Sequence, residues 1–400
     1  MTDTENEGRQ VNADPGCLDE DEGYDGPEPP GSPTVDGDSE GNLTEPGDID
    51  GMDAPLLEPE PMIQPGPASV EAGIDELKTS MLFIRALQSA SLNGGGLGEE
   101  AVERIRNPPE GVLAIDNEDD IFSLKQFLSS QGSSQAQYTA WRNNYNARHE
   151  NTPMLAYERI RAKVAEWSGV HPVIHDMCPN SCIAYTGPFA DLERCPYANC
   201  GLSRWDTFQL ENSRGKIKIP AQHYYYTIPL APQIQSLWRS PKTSAHLNYR
   251  RERTTEILQE LEDNNGVLNS YDDVFHGREY IDAVRRGDIA KNDTVVMFAI
   301  DGAQLYRDKF SDCWIYIWVI LDLDPKVRYK KDFVMPGGFI PGPHKPKHME
   351  SFLFPGFHHV AAIQREGLRV WDALDRSFKN SNIFFYIGEL CVDSLCLELI

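Results

Sequence analysis

Long apolar runs are missing from this 400-residue chain: the longest, Cys313 to Leu321, is nine residues, far short of the roughly 20 an apolar helix needs to cross a bilayer. No membrane span is expected. The first 77 residues almost lack basic side chains, holding Arg9 alone against 22 acidic residues. They also lack an apolar stretch behind a basic start, which excludes a secretory signal and predicts an intracellular protein. The same stretch has no periodic apolar pattern, and 11 of the 28 prolines fall before residue 70. Residues 1–72 therefore read as a disordered acidic tail that cannot bury enough surface to offset its ordering entropy. Simple solvation accounts for such a tail, and mimicry of phosphate over a basic groove is the sharper alternative.

The formal charge of −25 belongs almost wholly to that tail, since the other 323 residues hold 36 basic and 40 acidic side chains. A uniformly acidic protein would be a poor match for the phosphate backbone. The near-neutral body escapes that objection.

From Gly73 the pattern turns helical. Leu77, Met81, Ile84 and Leu87 recur at spacings of three and four, and residues 101–107, 121–129 and 155–167 continue as short helices. This helical region, 73–170, shows no catalytic constellation and no repeat. Residues 171–205 form a second segment around Cys178-x3-Cys182-x12-Cys195-x4-Cys200. Two short-spaced thiolate pairs a dozen residues apart can present four tetrahedral sulfurs to a structural Zn²⁺. In a reducing compartment such clustering points to metal before disulfides. His175 could replace one thiolate, and buried free cysteines are the plain alternative.

Residues 206–292 read as a helical linker region. Its basic run, Arg250-Arg251-Glu252-Arg253, either meets phosphate or forms a solvated helix face with internal ion pairs; Lys330-Lys331 is a second basic pair. Strands are expected from residue 293: one over Val295–Asp301 closing in an Asp301-Gly302 turn, one over Cys313–Asp322, and a third over 333–340 interrupted by Pro336-Gly337-Gly338. An amphipathic helix then spans Met349–Leu368. Three strands and a helix, with a carboxylate closing the first strand, is how a ribonuclease H-like domain opens. In two-metal phosphoryl transfer such a carboxylate bridges both ions, although an Asp-Gly pair after a strand is also simply a turn.

These segments resemble the transposases of CACTA-type (En/Spm-like) DNA transposons, particularly fungal ones. The likeness rests on His175–Cys195 (HDMCPNSCIAYTGPFADLERC), Tyr271–Val284 (YDDVFHGREYIDAV), Val295–Tyr306 (VVMFAIDGAQLY), Ser311–Leu321 (SDCWIYIWVIL) and Pro336–Ala373, with its GGFIPGP and GLRVWDA. It covers roughly residues 105–375. The resemblance implies an α+β or α/β chain: a zinc-ribbon-like module, then a ribonuclease H-like core over 293–376 that holds two Mg²⁺ or Mn²⁺ ions on three acids. Water and then a freed 3′-hydroxyl attack phosphodiesters at transposon ends. Asp301 matches the first catalytic acid, and Cys178, Cys182 and Cys195 match metal-binding cysteines. Cys200 sits two residues farther along than in relatives. DNA is the implied partner, with a second copy or intact transposase beside it, and the nucleus is the implied location.

The departure lies in residues 377–400, read as a divergent tail. The family continues from GLRVWDA into a strand ending in its second acid, which is not recognisable here; Glu389 is the one stand-in. One carboxylate cannot clamp two hydrated ions. The expectation is thus an incomplete core that does not cut DNA alone, whose three strands lie partly uncovered. A non-catalytic zinc-dependent binding module is the alternative reading, and a longer product of the same gene a third.

Overall fold

The computed structural model describes residues 75–130, 132–149, 151–206, 208, 220–304, 312–342 and 344–386. The acidic tail at 1–72 and the stand-in acid Glu389 lie outside them. The described residues belong to one compact unit, Ser69–Ile400, of mixed α and β structure.

Five helices come first: α1 (Asp75–Gln88), α2 (Glu99–Arg106), α3 (Glu118–Ser129), α4 (Gln135–Asn146) and α5 (Tyr157–Ser168). Local chemistry starts α3, where Asn117 accepts hydrogen bonds from the Asp119 and Asp120 amides at 2.8 and 3.2 Å and three acids fill the first turn. Such groups satisfy orphan N–H donors and complement the helix dipole. Helices α3 to α5 enclose a small core of Tyr138, Met154 and Ile160. By contrast, Val102 and Ile105 of α2 are buried in the main core, and Arg106 pairs with Glu366 at 2.8 Å. The expected single helical region, 73–170, is therefore two packing units.

Six strands form the main sheet: β1 (Val173–Met177), β2 (His223–Thr227), β3 (Thr294–Gln304), β4 (Asp312–Ile320), β5 (Met335–Gly342) and, at the far end of the chain order, β8 (Ile383–Tyr386). Their order is β1-β2-β5-β4-β3-β8. All neighbours are antiparallel except β3 and β8, which run parallel. A separate hairpin pairs β6 (Leu368–Asp372) with β7 (Ser377–Ser381). The sequence boundaries fail here. Strand β1 opens the cysteine segment yet belongs to the sheet, β2 lies inside the expected helical linker, and residues 377–386 of the expected tail supply two strands.

Hydrophobic layers cover both faces around β3 and β4, while one face of β1, β2 and β5 stays open, with Ile174, Tyr224, Tyr226 and Phe339 exposed. On one face Val296, Trp318, Ile320 and Ile383 pack with α6 (Leu230–Trp238) and α11 (Met349–Glu366). On the other, Val295, Val319 and Leu321 meet Ile257 and Leu261 of α8 (Tyr249–Asp263) and Tyr280, Ile281 and Ala283 of α9 (Arg278–Arg286). Strict alternation along β3 and β4 sends neighbouring residues to opposite layers. Two shorter α-helices, α7 (Pro241–His246) and α10 (Pro325–Arg328), are also present.

Two expected breaks are absent for one steric reason. Strand β3 runs past Asp301-Gly302 to Gln304, with Gly302 opposite Trp314; a Cβ on Gly302 would stand 3.1 Å from that indole, so glycine lets the ring lie over the strand. Strand β5 likewise continues through Pro336-Gly337-Gly338, where a Cβ at either glycine would overlap the Tyr316 ring. Tyr316 is fully buried, and its bulge with Ile317 absorbs the register shift.

Buried histidines tie α11 to α6. His359 accepts the Ala231 amide on Nε2 at 3.1 Å, and burial holds its pKa down at about 4. The unfolded chain, with an ordinary histidine pKa near 6.5, binds a proton between these values that the native state refuses. This share of stability is present above about pH 6.5 and is lost as pH falls towards 4. Urea unfolding midpoints should decline over that window, and His359→Gln should flatten the decline; an unchanged slope in that variant would remove His359 as the cause.

Candidate metal centre

Two tight turns bring the four cysteines together. In the first, the Cys178 amide donates to Ile183 O at 2.9 Å and the Ser181 amide to Cys178 O at 2.8 Å, with Ser181 left-handed at φ 54°. In the second, the Cys195 amide donates to Leu202 O at 2.9 Å and the Cys200 amide to Tyr197 O at 2.8 Å. This turn holds Ala198 and Asn199 and ends at Cys200. Its thiol is thereby delivered to the cluster.

The four Sγ atoms lie within 4.8 Å of one another, and Cys178 and Cys200 are 3.6 Å apart. A tetrahedron with Zn–S bonds of about 2.3 Å has sulfurs about 3.8 Å apart. Four cysteines so placed can hold a metal ion such as zinc, and an all-sulfur donor set is that of a closed structural site. Cys178, Cys182 and Cys195 are buried and Cys200 half-buried. Burial and the neighbouring Cys178 push the Cys182 thiol up to about 11, and burial drives Cys195 up as well. Burial also opposes ionisation of Cys200, but hydrogen bonds from the Leu202 amide and the other thiols outweigh it and hold its pKa down at about 7. Binding would thus displace protons and depend on pH.

His175 takes no part. Its Nε2 sits 2.8 Å from the Thr227 hydroxyl and its ring packs on Tyr225 at 5.3 Å, because strand alternation turns it into the core. Other contacts seat the cluster on α11. The His348 amide donates to Cys182 O at 2.9 Å and the Lys347 amide to Ser181 O at 3.3 Å, while Ser351 Oγ receives the Ala184 amide at 2.9 Å. Gly342 leaves room for Ser181, whose hydroxyl a Cβ there would strike.

Asp301 lies in β3 opposite Ile315. It is solvent-exposed, and its carboxylate accepts its neighbour Gly302's amide at 2.7 Å. Among the described residues, the four cysteines form the one group of three or more metal-ligating side chains. Among the described residues, no such group includes Asp301.

The basic run divides between the core and an ion-paired helix face. Arg250 is buried and its Nε donates to Asp322 at 2.6 Å, while Nη2 donates to the carbonyls of Ala290, Lys291 and Asp293. Arg253 pairs with Glu256 at 2.9 Å and Asp272 at 3.2 Å. Lys330 and Lys331 remain exposed. The Tyr271–Val284 motif is also architectural: Asp273 accepts two bonds from buried Arg328, at 3.0 and 3.2 Å, and one from Tyr249 at 2.9 Å.

Sequence reading passed over a row of exposed side chains on β1, β2 and β5: Ile174, Tyr224, Tyr226 and Phe339. The signal was available in His223-Tyr224-Tyr225-Tyr226-Thr227, where alternation buries the middle tyrosine and exposes its neighbours. Searches against protein-family models and curated proteins find no match for this chain. Among the described residues, no helix is long and apolar enough to cross a membrane.

Proposed function

We propose that this chain is a transposase-like protein of the CACTA type, nuclear and zinc-stabilised, that engages DNA through a ribonuclease H-like core without cutting it unaided. The observation that carries this reading is the placement of β8. The resemblance calls for a further strand after GLRVWDA, and β8 follows that segment and pairs parallel to β3, from Thr294–Ile383 to Met297–Tyr386. Parallel pairing points β8 itself towards the sheet end that carries Asp301. Helix α11 makes the crossover between β5 and that strand, as a parallel connection requires. The four cysteines, placed so that they can hold zinc, and their anchorage on α11 support the same reading.

The case for non-cutting is ligand count: Asp301 is the one acid that matches the proposed catalytic set, and its carboxylate already accepts the Gly302 amide. A pair of divalent ions stabilising attacking and leaving oxygens needs more ligands than one side chain offers. Purified full-length protein, incubated with Mn²⁺ or Mg²⁺ and supercoiled plasmid, is expected to nick no faster than Asp301→Asn. Nicking that Asp301→Asn abolishes would instead assign an active carboxylate set to this chain.

A further inference from the structure

The strand registers place one continuous line of side chains across five strands: Asp301 on β3, Ile315 on β4, Phe339 on β5, Tyr226 on β2 and Ile174 on β1. Residues directly opposite each other across a sheet share a face, with Cβ atoms about 4.5–5.5 Å apart. Tyr224, two residues from Tyr226, lies on that face as well. Towards β3's start the same face is sealed by α8 and α9. Along this line it is open: Ile174 is 58% exposed, Tyr224 50%, Tyr226 37% and Phe339 37%.

Three aromatic rings on the open face of a sheet are unusual, because each leaves apolar area in water at about 25 cal/mol per Å². Tyr224 and Tyr226 stand edge to face at 5.6 Å, which leaves ring surface available to a flat partner. Two arginines lie near them. The Arg161 guanidinium is close enough to act electrostatically on the Tyr226 hydroxyl, and Arg204 reaches the row through Asp176, the residue opposite Tyr224 on β1. Both also meet carboxylates, Glu158 at 3.2 Å and Asp176 at 2.6 Å.

We infer that this row is a stacking platform for single-stranded nucleic acid, leading unpaired bases across β1, β2 and β5 towards Asp301. Rings spaced by one strand on a sheet face suit successive splayed bases, whose π-faces stack without regard to sequence. A protein partner would be served as well by aliphatic side chains. The combination of rings, nearby guanidinium groups and a carboxylate at the end of the same row favours a polynucleotide. The inference deepens the proposed function and rests on it for the direction of the strand, not for binding itself.

Fluorescence polarisation of labelled oligothymidylate with the full chain tests it. Wild-type protein should bind, with duplex a poorer competitor than unlabelled single strand. Tyr226→Ala and Phe339→Ala should each weaken binding roughly 5- to 150-fold, the range for loss of one stacked base, whereas Tyr226→Phe should bind like wild type. Circular dichroism should be unchanged and melting should fall only modestly, since each ring is 37% exposed. Leu374→Ala, an exposed apolar residue in the turn of the separate β6–β7 hairpin, should bind normally, and because polarisation is read without divalent metal, binding and nicking assays fail separately. Absence of oligothymidylate binding by wild type, full binding by the alanine variants, or a change in oligomeric state in place of affinity would each overturn the platform.

Discussion

Cys182→Ser is expected to strip the protein of metal and to collapse the segment between β1 and β2. Wild-type protein purified from zinc-supplemented cells should carry about one zinc per chain, and the variant close to none. Structural zinc contributes roughly 10 kcal/mol or more of binding free energy that becomes folding free energy. The consequence should reach beyond the turns, because the Cys182 carbonyl holds the His348 amide at the start of α11 and the adjoining Ala184 amide bonds Ser351. A fall in melting midpoint of more than about 10 °C follows even if only several kcal/mol are lost. Cys313→Ser, in buried strand β4 away from the cluster, should leave metal content unchanged. Equal zinc in the Cys182 and Cys313 variants would dismiss the site.

The second large effect is expected at Asp322. Its carboxylate accepts Arg250 Nε at 2.6 Å and the Val295 amide at 2.7 Å, with both partners of the ion pair nearly inaccessible to water. Asp322→Ala should cost about 3–5 kcal/mol, since it strands a buried guanidinium without its counter-charge. The arrangement keeps Arg250 protonated: although burial disfavours its charge, Asp322 and Tyr280 more than compensate. In many proteins a buried pair can be exchanged for apolar residues at little cost. Here the double variant Arg250→Met with Asp322→Leu should stay destabilised, because the carbonyls of Ala290, Lys291 and Asp293 would lose their shared donor. Recovery of wild-type stability in the double variant, measured by urea unfolding, would show that the carbonyl contacts contribute nothing.

These two sites also separate what was legible in the chain from what was not. The cysteine quartet could be read because its spacing is local, and a turn needs only neighbouring residues to close. Helices α1, α2, α3, α5 and α11 and strands β3 and β4 were legible to within a few residues, since apolar period and capping chemistry are also short-range. Arg250 was not. A basic run looks the same whether it faces phosphate or fills a pocket formed by residues 40 and 72 positions away, such as Ala290 and Asp322. His175 illustrates the same limit, its fate being set by which face of β1 the sheet buries.

The glycines of GGFIPGP show how far meaning can lie from the motif that contains it. Pro336-Gly337-Gly338 carries every local mark of a chain break, yet β5 passes straight through it. The reason is the ring of Tyr316 on the neighbouring strand, which a Cβ at either glycine would overlap. In the same way Ser377–Ser381 and Ile383–Tyr386 lack a long apolar run, and only pairing with β6 and β3 makes them strands.

By itself the order of residues determined the local elements, the four-thiol donor set, the concentration of acid near the N-terminus and the resemblance that suggests a chemistry. Tertiary structure alone decided that β1 and β2 extend the core sheet, that Arg250 is a buried strut, and that Tyr224, Tyr226 and Phe339 share an open face with Asp301. The physical reason is reach: backbone propensity and turn closure act over a few residues, whereas sheet order, burial of charge and the alignment of side chains across strands depend on partners distant in sequence, whose meeting only the packed core specifies.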